Sequence, residues 1–211
     1  MFATPVTRLG TSSGSLGTEP MRLAERPDQT GTQLLRLARG SIEHGLAHGQ
    51  PAPIQFDELP AALKDPAATF TTLRIEKELR GCRGTLKVVR PLAEDVSWTA
   101  FQAAFDDPRF APVVEHELEV IRLEVSVLSP MEALPVSDEA DLLEKLTPGT
   151  DGLVILAHGR SATFLPTVWG QLPEPQDFVA ALKAKCGLKR DYWSDQLDFM
   201  RYRTTSYAES P

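Results

Sequence analysis

Cysteine and long apolar runs are scarce in this chain of 211 residues. Its two cysteines, Cys82 and Cys186, are too few for the disulfide framework of a small secreted domain, and we interpret both as thiols. No stretch approaches the roughly 18 consecutive apolar residues of a membrane-spanning helix, and the N-terminus lacks the apolar core of a signal peptide. These absences predict a cytoplasmic protein with no membrane association.

Positive charge is also in deficit, because 22 lysines and arginines face 29 aspartates and glutamates, which gives a formal net charge of −7. A nucleic-acid backbone would need a local basic patch, and the basic residues are dispersed along the chain. A nucleic-acid partner is therefore disfavoured. Hydrophobic residues make up 42% of the chain, which suffices for one substantial core but hardly for two independent domains.

The first 30 residues are rich in Thr, Ser, Gly and Pro, and their apolar residues are scattered singly. Such a segment cannot bury enough apolar surface to offset the entropy lost on ordering. We therefore expect residues 1–30 to form a flexible N-terminal arm and residues 31–211 to form one folded domain.

Periodic apolar residues predict the regular elements of this domain. Helices are expected over Leu34–Leu46, Leu92–Phe105, Asp138–Leu146 and Gln176–Lys185. Strands are expected over Phe70–Ile75, Leu86–Val89 and Ile121–Val127, with a hairpin formed by Leu153–Ala157 and Ala162–Leu165. Core aromatic residues at helical spacing are expected at Trp98, Phe101 and Phe105. The irregular alternation, without a glycine-rich phosphate loop, predicts an α+β fold with a mainly antiparallel sheet and flanking helices.

A thiol stands between two arginines in the segment Arg80-Gly81-Cys82-Arg83-Gly84. Both guanidinium groups would favour thiolate over thiol, which makes Cys82 a candidate nucleophile. Gly81 and Gly84 let the backbone approach a ligand closely, and exposed amides there would hold an anion. Arg80, Gly81, Arg83 and Gly84 are therefore candidate ligand-binding residues.

A structural role for this segment is the alternative. Buried cysteine is common, glycine in a strand often marks a bulge, and the arginines could pair with Glu76 or Glu78. A nucleophilic cysteine also needs a base, for which His158 in the predicted hairpin turn is the candidate. The plainer interpretation of His158 is a solvent-exposed turn residue.

Other polar motifs carry less chemistry. His44 and His48 could share one helix face, but no third ligand follows at a spacing typical of a metal site. Glu115-His116-Glu117 lacks the second histidine of a metalloprotease motif, so no metal site is predicted. Asp107-Pro108 is interpreted as a helix stop, with a substrate clamp formed by Asp106, Asp107 and Arg109 as the alternative.

The segment Leu79–Leu86 resembles the Leu-Arg-Gly-Cys-Ile-Gly signature of the AMMECR domain family, with Arg83 in place of isoleucine. Further blocks resemble the same family in the same order, from about Thr32 to Glu209. They are Phe70–Leu73, Ala103-Ala104 with Asp107–Phe110, Glu124–Leu128, Phe164–Pro166 and Tyr207–Glu209.

This resemblance implies a larger and a smaller lobe, with the signature strand near the cleft between them. It also implies a protein of the AmmeMemoRadiSam system protein A type, which accompanies a Memo-like protein and a radical SAM protein. It assigns no catalytic residue and no cofactor. We therefore expect an accessory or small-ligand-binding component of such a system. The alternative is an enzyme that uses Cys82 as a thiolate, with Arg80 and Arg83 orienting an anionic small molecule in the cleft.

Overall fold

The computed structural model of the protein describes residues 27–210. Its helices are α1 (Pro27–His48), α2 (Ala61–Lys64), α3 (Leu92–Phe105), α4 (Glu139–Lys145) and α5 (Pro175–Lys185). Its strands are β1 (Pro66–Ala67), β2 (Thr69–Ile75), β3 (Glu78–Gly84), β4 (Arg90–Pro91), β5 (Ile121–Leu128), β6 (Glu132–Ala133), β7 (Gly152–Ala157), β8 (Arg160–Phe164), β9 (Asp198–Tyr202) and β10 (Thr204–Ala208). The predicted α+β fold with antiparallel sheets is confirmed.

The first lobe is a four-stranded antiparallel sheet in the order β10-β5-β2-β3, with α1 and α3 packed on one face. Alternation along β5 buries Ile121, Leu123, Val125 and Val127 against these helices, as the period-two pattern predicts. Strand β3 lies at one edge of the sheet. On the opposite face of the sheet, Arg122 and Glu124 are partly exposed, whereas Ser126 and Leu128 are buried.

The second lobe is another four-stranded antiparallel sheet, in the order β6-β9-β7-β8. Helices α4 and α5 help to enclose a separate apolar core, in which Trp169 stacks on Phe178 at 3.8 Å between ring centroids. The chain crosses between the lobes after β5 and again after β9. Two hydrogen bonds join these crossings. The backbone N of Ser129 donates to the carbonyl oxygen of Arg203 at 2.8 Å, and the backbone N of Arg203 donates to Ser129 Oγ at 2.9 Å.

Most predicted elements are confirmed. The four helices and the hairpin are present, and the hairpin turn is His158-Gly159, with φ of 50° and 74°. The predicted arm over residues 1–30 falls mostly outside the described residues, and residues 27–30 form the first turn of α1. No helix within residues 27–210 is long and apolar enough to cross a membrane.

Two predictions about the region after the signature are wrong. Leu86–Val89 is not a strand; the strand is Glu78–Gly84, because the signature pairs with β2 through a tight turn at Glu76, where φ is 55°. Val88 and Val89 are 54% and 63% exposed and pair with nothing in a sheet. Trp98 is no core residue, since it is 37% exposed and the Arg90 guanidinium lies 4.6 Å above its ring.

Candidate functional site

The signature forms an edge strand whose glycines permit close packing. A Cβ on Gly81 would lie 2.2 Å from the carbonyl oxygen of Ala103, so α3 can approach β3 only because this residue has no side chain. A Cβ on Gly84 would lie 2.3 Å from the ring of Phe70. The two glycines therefore allow β3 to pack closely against α3 and β2, and this role does not depend on a ligand.

Cys82 projects from the face of the sheet that is opposite α1 and α3. It stands directly across from Thr72, whose neighbours Thr71 and Leu73 are buried on the helical side. Thr72 Oγ1 donates a hydrogen bond to Cys82 Sγ at 3.4 Å, and the cysteine is partly exposed. We call this side of the first-lobe sheet, with Cys82, Thr72 and Glu124 in one cross-strand row, the signature face.

Asp107 and Arg109, just beyond the end of α3, cover the free edge of β3. The backbone N of Cys82 donates to Asp107 Oδ2 at 2.9 Å, and Arg109 Nη2 donates to the carbonyl oxygen of Cys82 at 3.3 Å. The two side chains also pair with each other, with Arg109 Nη2 2.6 Å from Asp107 Oδ2. Hydrogen bonds from the Arg109 guanidinium and then from the two backbone amides hold the Asp107 pKa well below its usual range, against the opposing effect of burial.

The two arginines of the signature point away from the sulfur. Arg80 lies at the bulge in the β2–β3 pairing and binds Glu117 through two bonds of 2.7 and 2.9 Å, instead of pairing with Glu76 or Glu78. Arg83 is opposite Thr71, so it emerges on the helical side of the strand. In the described part of the chain the Arg83 side chain has no hydrogen-bond or ion-pair partner.

Cations from elsewhere in the chain approach Cys82 instead. Lys185, in the last turn of α5, donates from Nζ to the carbonyl oxygen of Thr163 at 2.9 Å and lies 5.1 Å from the centroid of Phe164. Desolvation by neighbouring protein atoms lowers the Lys185 pKa, the nearby Cys82 opposes this effect, and Arg109 adds a smaller lowering. Lys185 of the second lobe is therefore within electrostatic range of both groups in the first lobe.

His158 is held in the hairpin turn of the second lobe. Its Nε2 is 3.1 Å from the hydroxyl of Tyr192. This turn precedes β8, whereas Phe164, which Lys185 contacts, is at the other end of the same strand. Four residues of strand separate the two ends by about 13 Å. The structure therefore does not bring His158 together with Cys82.

The other predicted motifs also take structural positions. The rings of His44 and His48 are 4.3 Å apart, and His44 Nδ1 is 2.9 Å from the carbonyl oxygen of Gln50. Glu117 forms an ion pair with Arg80. Across residues 27–210, no group of three or more His, Cys, Asp or Glu side chains is arranged to hold a metal ion.

Sequence reasoning missed three features of this site. Asp107 ends α3 as predicted, but its carboxylate also binds the Cys82 amide, and the Asp107-Pro108-Arg109 motif was the available signal. Thr72 could have been placed opposite Cys82 once the hairpin register was known. Lys185 has no signal in the sequence, because only the packing of the two lobes brings it near Cys82.

Comparison with known proteins agrees with this architecture. The profile of the AMMECR1 family matches residues 35–207. Protein MJ0810 of Methanocaldococcus jannaschii is 35% identical over 187 residues, which cover 86% of this chain and 90% of that protein. Protein NEQ441 of Nanoarchaeum equitans is 34% identical over 168 residues, or 77% of this chain and 90% of that protein.

A solved structure shows the same fold. The crystal structure of the uncharacterized protein PH0010 from Pyrococcus horikoshii is similar to this chain with a TM-score of 0.81 and 31% sequence identity. The similarity covers 86% of this chain and 92% of that one. The family match spans well over half of the chain and includes the signature strand, Asp107, Arg109 and Lys185. The chain therefore belongs to the AMMECR1 family.

Proposed function

We propose that this protein is a small-ligand-binding component that binds an anionic molecule beside Cys82 and acts with a Memo-like protein and a radical SAM protein. The observation that carries the binding proposal is that Arg109 Nη2 donates to the carbonyl oxygen of Cys82 at 3.3 Å, beside a partly exposed thiol. Lys185, from a separate segment, lies within electrostatic range of both Cys82 and Arg109. The partner proposal depends on the family resemblance of the signature segment.

Lys185 is the main reason to expect an anion. Its side chain is exposed, and its ammonium group has a carbonyl oxygen but no carboxylate as partner among residues 27–210. Neighbouring protein atoms partly desolvate this group and lower the Lys185 pKa, so a bound carboxylate or phosphate would stabilise the ammonium form. Arg109 is 54% exposed, which leaves its guanidinium able to contact the same ligand while it holds Asp107.

Calorimetric titration with phosphate, acetate and malonate tests this site. We expect Lys185→Gln to weaken binding about tenfold, equivalent to roughly 1.4 kcal/mol for one charge-assisted contact. Lys189→Gln, which removes an exposed lysine just beyond α5, is the matched control and should leave the affinity unchanged. Equal binding by both variants, or no binding by the native protein, would refute the anion site.

The partner role has its own test. Purified protein mixed with the Memo-like and radical SAM proteins of the same organism should elute from a sizing column as a complex. Separate elution under all ligand conditions would remove the accessory role and leave the anion site to be judged by calorimetry.

A second candidate function is an enzyme that uses Cys82 as a nucleophile on an anionic substrate. The hydrogen bond from Thr72 Oγ1 orients the sulfur on the signature face, and Arg109 and Lys185 replace Arg80 and Arg83 as the cations placed to orient the substrate. No histidine in the described chain hydrogen-bonds to the sulfur. A base would therefore have to come from the substrate or from another group of the face.

Alkylation by iodoacetamide, followed by mass spectrometry, tests this candidate. Cys82 should be modified in the native protein and protected by bound malonate, whereas Cys186, only 4% exposed, should react after unfolding. Cys82→Ser is the control for assignment of the modified site. A Cys82 that stays unmodified until the protein unfolds would exclude thiol catalysis.

A further inference from the structure

Glu124 lies in the same cross-strand row as Cys82, with Thr72 between them. Two strand spacings separate the backbones of Cys82 and Glu124, a distance of roughly 10 Å. Glu124 is partly exposed, and its carboxylate has no hydrogen-bond or ion-pair partner anywhere in residues 27–210. The signature face therefore has cations at one end of this row and an uncompensated carboxylate toward the other.

Two arginines beside Glu124 do not neutralise it. Arg74 and Arg122 are directly opposite each other on the signature face, in the row next to Thr72 and Glu124. Arg122 Nη1 donates to the carbonyl oxygens of Glu119 and Ile121 at 2.9 and 3.1 Å, and Arg74 Nη1 donates to that of Lys77 at 3.4 Å. These bonds direct both guanidinium groups toward the end of the sheet where β2 finishes, away from the row that contains Cys82.

We propose that the ligand of the signature face is a zwitterion, with its ammonium group at Glu124 and its carboxylate or phosphate at Lys185 and Arg109. This inference rests on the proposed function, because it uses the same anion site and adds the group that sets ligand specificity. The body of the ligand crosses Thr72 and the sulfur of Cys82. A partly exposed carboxylate is stabilised most by a cation that also donates hydrogen bonds to it.

The spacing selects the length of the ligand. The backbones of Cys82 and Glu124 are about 10 Å apart, so the ligand that fits the row best has several bonds between its ammonium group and its anionic group. The chemical class is therefore an ω-amino acid or an amino-substituted phosphate ester, in which several bonds separate the two charges. Glycine and other short α-amino acids are expected to bind less tightly than the longer ω-amino acids.

Calorimetry with matched pairs of ligands tests the proposal. The native protein should bind γ-aminobutyrate or ε-aminocaproate about tenfold more tightly than butyrate or caproate, the value of one charge-assisted contact of roughly 1.4 kcal/mol. Glu124→Gln should bind both members of each pair equally. Glu144→Gln, which neutralises an exposed glutamate on α4, is the matched control and should keep the native preference.

A shortened carboxylate gives a second, independent readout. Glu124→Asp keeps the charge but withdraws it toward β5, so the preference should move from γ-aminobutyrate to the longer ε-aminocaproate. Because the Glu124 side chain has no partner, neither substitution should lower the melting temperature.

The outcomes separate this inference from the proposed function. Binding that depends on Lys185 but is equal for amino and plain carboxylates would overturn the zwitterion and leave the anion site intact. A preference for amino compounds that survives in Glu124→Gln would also overturn it. Absence of binding by every probe would overturn both proposals.

Discussion

The two lobes are stabilised by different kinds of contact. In the first lobe a buried polar network links the sheet to α3: Thr69 donates from N and Oγ1 to Asp95 at 2.9 and 2.8 Å, and Thr99 bonds with both Thr69 and Thr71. In the second lobe the corresponding space is filled by aromatic and aliphatic side chains around the stacked pair Trp169 and Phe178.

This difference bears on the site. Hydrogen bonds are directional, so the network sets the register of β2 against α3, and β2 in turn sets the position of β3 and Cys82. Apolar packing is less directional, and the second lobe contributes to the site mainly through Lys185 at the end of a helix. The position of the signature strand is therefore specified by directional polar contacts.

Gly81→Ala should have the largest effect. Its Cβ would meet a backbone carbonyl at 2.2 Å, and backbone cannot rotate away, so we expect a loss of about 3 kcal/mol in the free energy of unfolding. Gly152→Ala, in the second lobe, meets the ring of Tyr202 at 2.5 Å and should also destabilise the protein, because this ring is buried and its hydroxyl is hydrogen-bonded to Thr163. Urea denaturation measures both.

Gly40→Ala is the control for this comparison. A Cβ at this position in α1 meets nothing within 4 Å, and alanine is the better helix former. The substitution should stabilise the protein by about 0.5–1 kcal/mol. If Gly81→Ala were as harmless as Gly40→Ala, the close approach of β3 to α3 would be wrong.

Asp107→Ala should have the next largest effect, a loss of about 2 kcal/mol at neutral pH, because the Cys82 amide and the Arg109 guanidinium lose their shared acceptor. The Asp107 pKa is depressed in the folded state, so its contribution is complete above the ordinary aspartate pKa of about 4 and is lost as pH falls below it. Denaturation from neutral to acidic pH should show the variant and the native protein converging. Asp106→Ala, at an exposed neighbour, should change little.

Lys183→Met tests the second lobe. Lys183 is fully buried, with Nζ 2.7 Å from Glu139 and 5.5 Å from the centroid of Trp193. Methionine has a similar volume, and the partly exposed Glu139 can be hydrated once it loses its partner, so stability should change by less than about 1 kcal/mol. A severe loss in thermal denaturation would show that the second lobe depends on the ion pair between Lys183 and Glu139.

Asp95→Asn should have the smallest effect on the free energy of unfolding, and the size of this effect should change with pH. Burial raises the Asp95 pKa, although hydrogen bonds from Thr69 and the nearby Arg90 oppose the rise. The folded state therefore binds the proton more tightly than the unfolded state, so the native protein loses stability relative to the variant as pH rises through the raised pKa. A difference in the free energy of unfolding between the two proteins that does not change with pH would show that burial does not raise the Asp95 pKa.

The sequence predicted more of the fold than of the site. Ile121–Val127 and Leu92–Phe105 were identifiable because their apolar residues repeat with the period of a strand and of a helix. Strand β3 was missed because its glycines and charges conceal that pattern, and it is a strand because it pairs with β2. Trp98 was misplaced because helical spacing does not tell which face is covered.

The sequence by itself determined the helices, the β5 strand, the second-lobe hairpin and the presence of a thiol among glycines and arginines. These are local properties, set by side-chain period and by backbone freedom. Only the tertiary structure decided which charges meet that thiol. Arg80 turns to Glu117, Arg83 lies on the helical side, and Arg109 and Lys185 take their place beside Cys82. Such pairings depend on strand register and on the packing of two lobes, which bring together residues far apart in the chain.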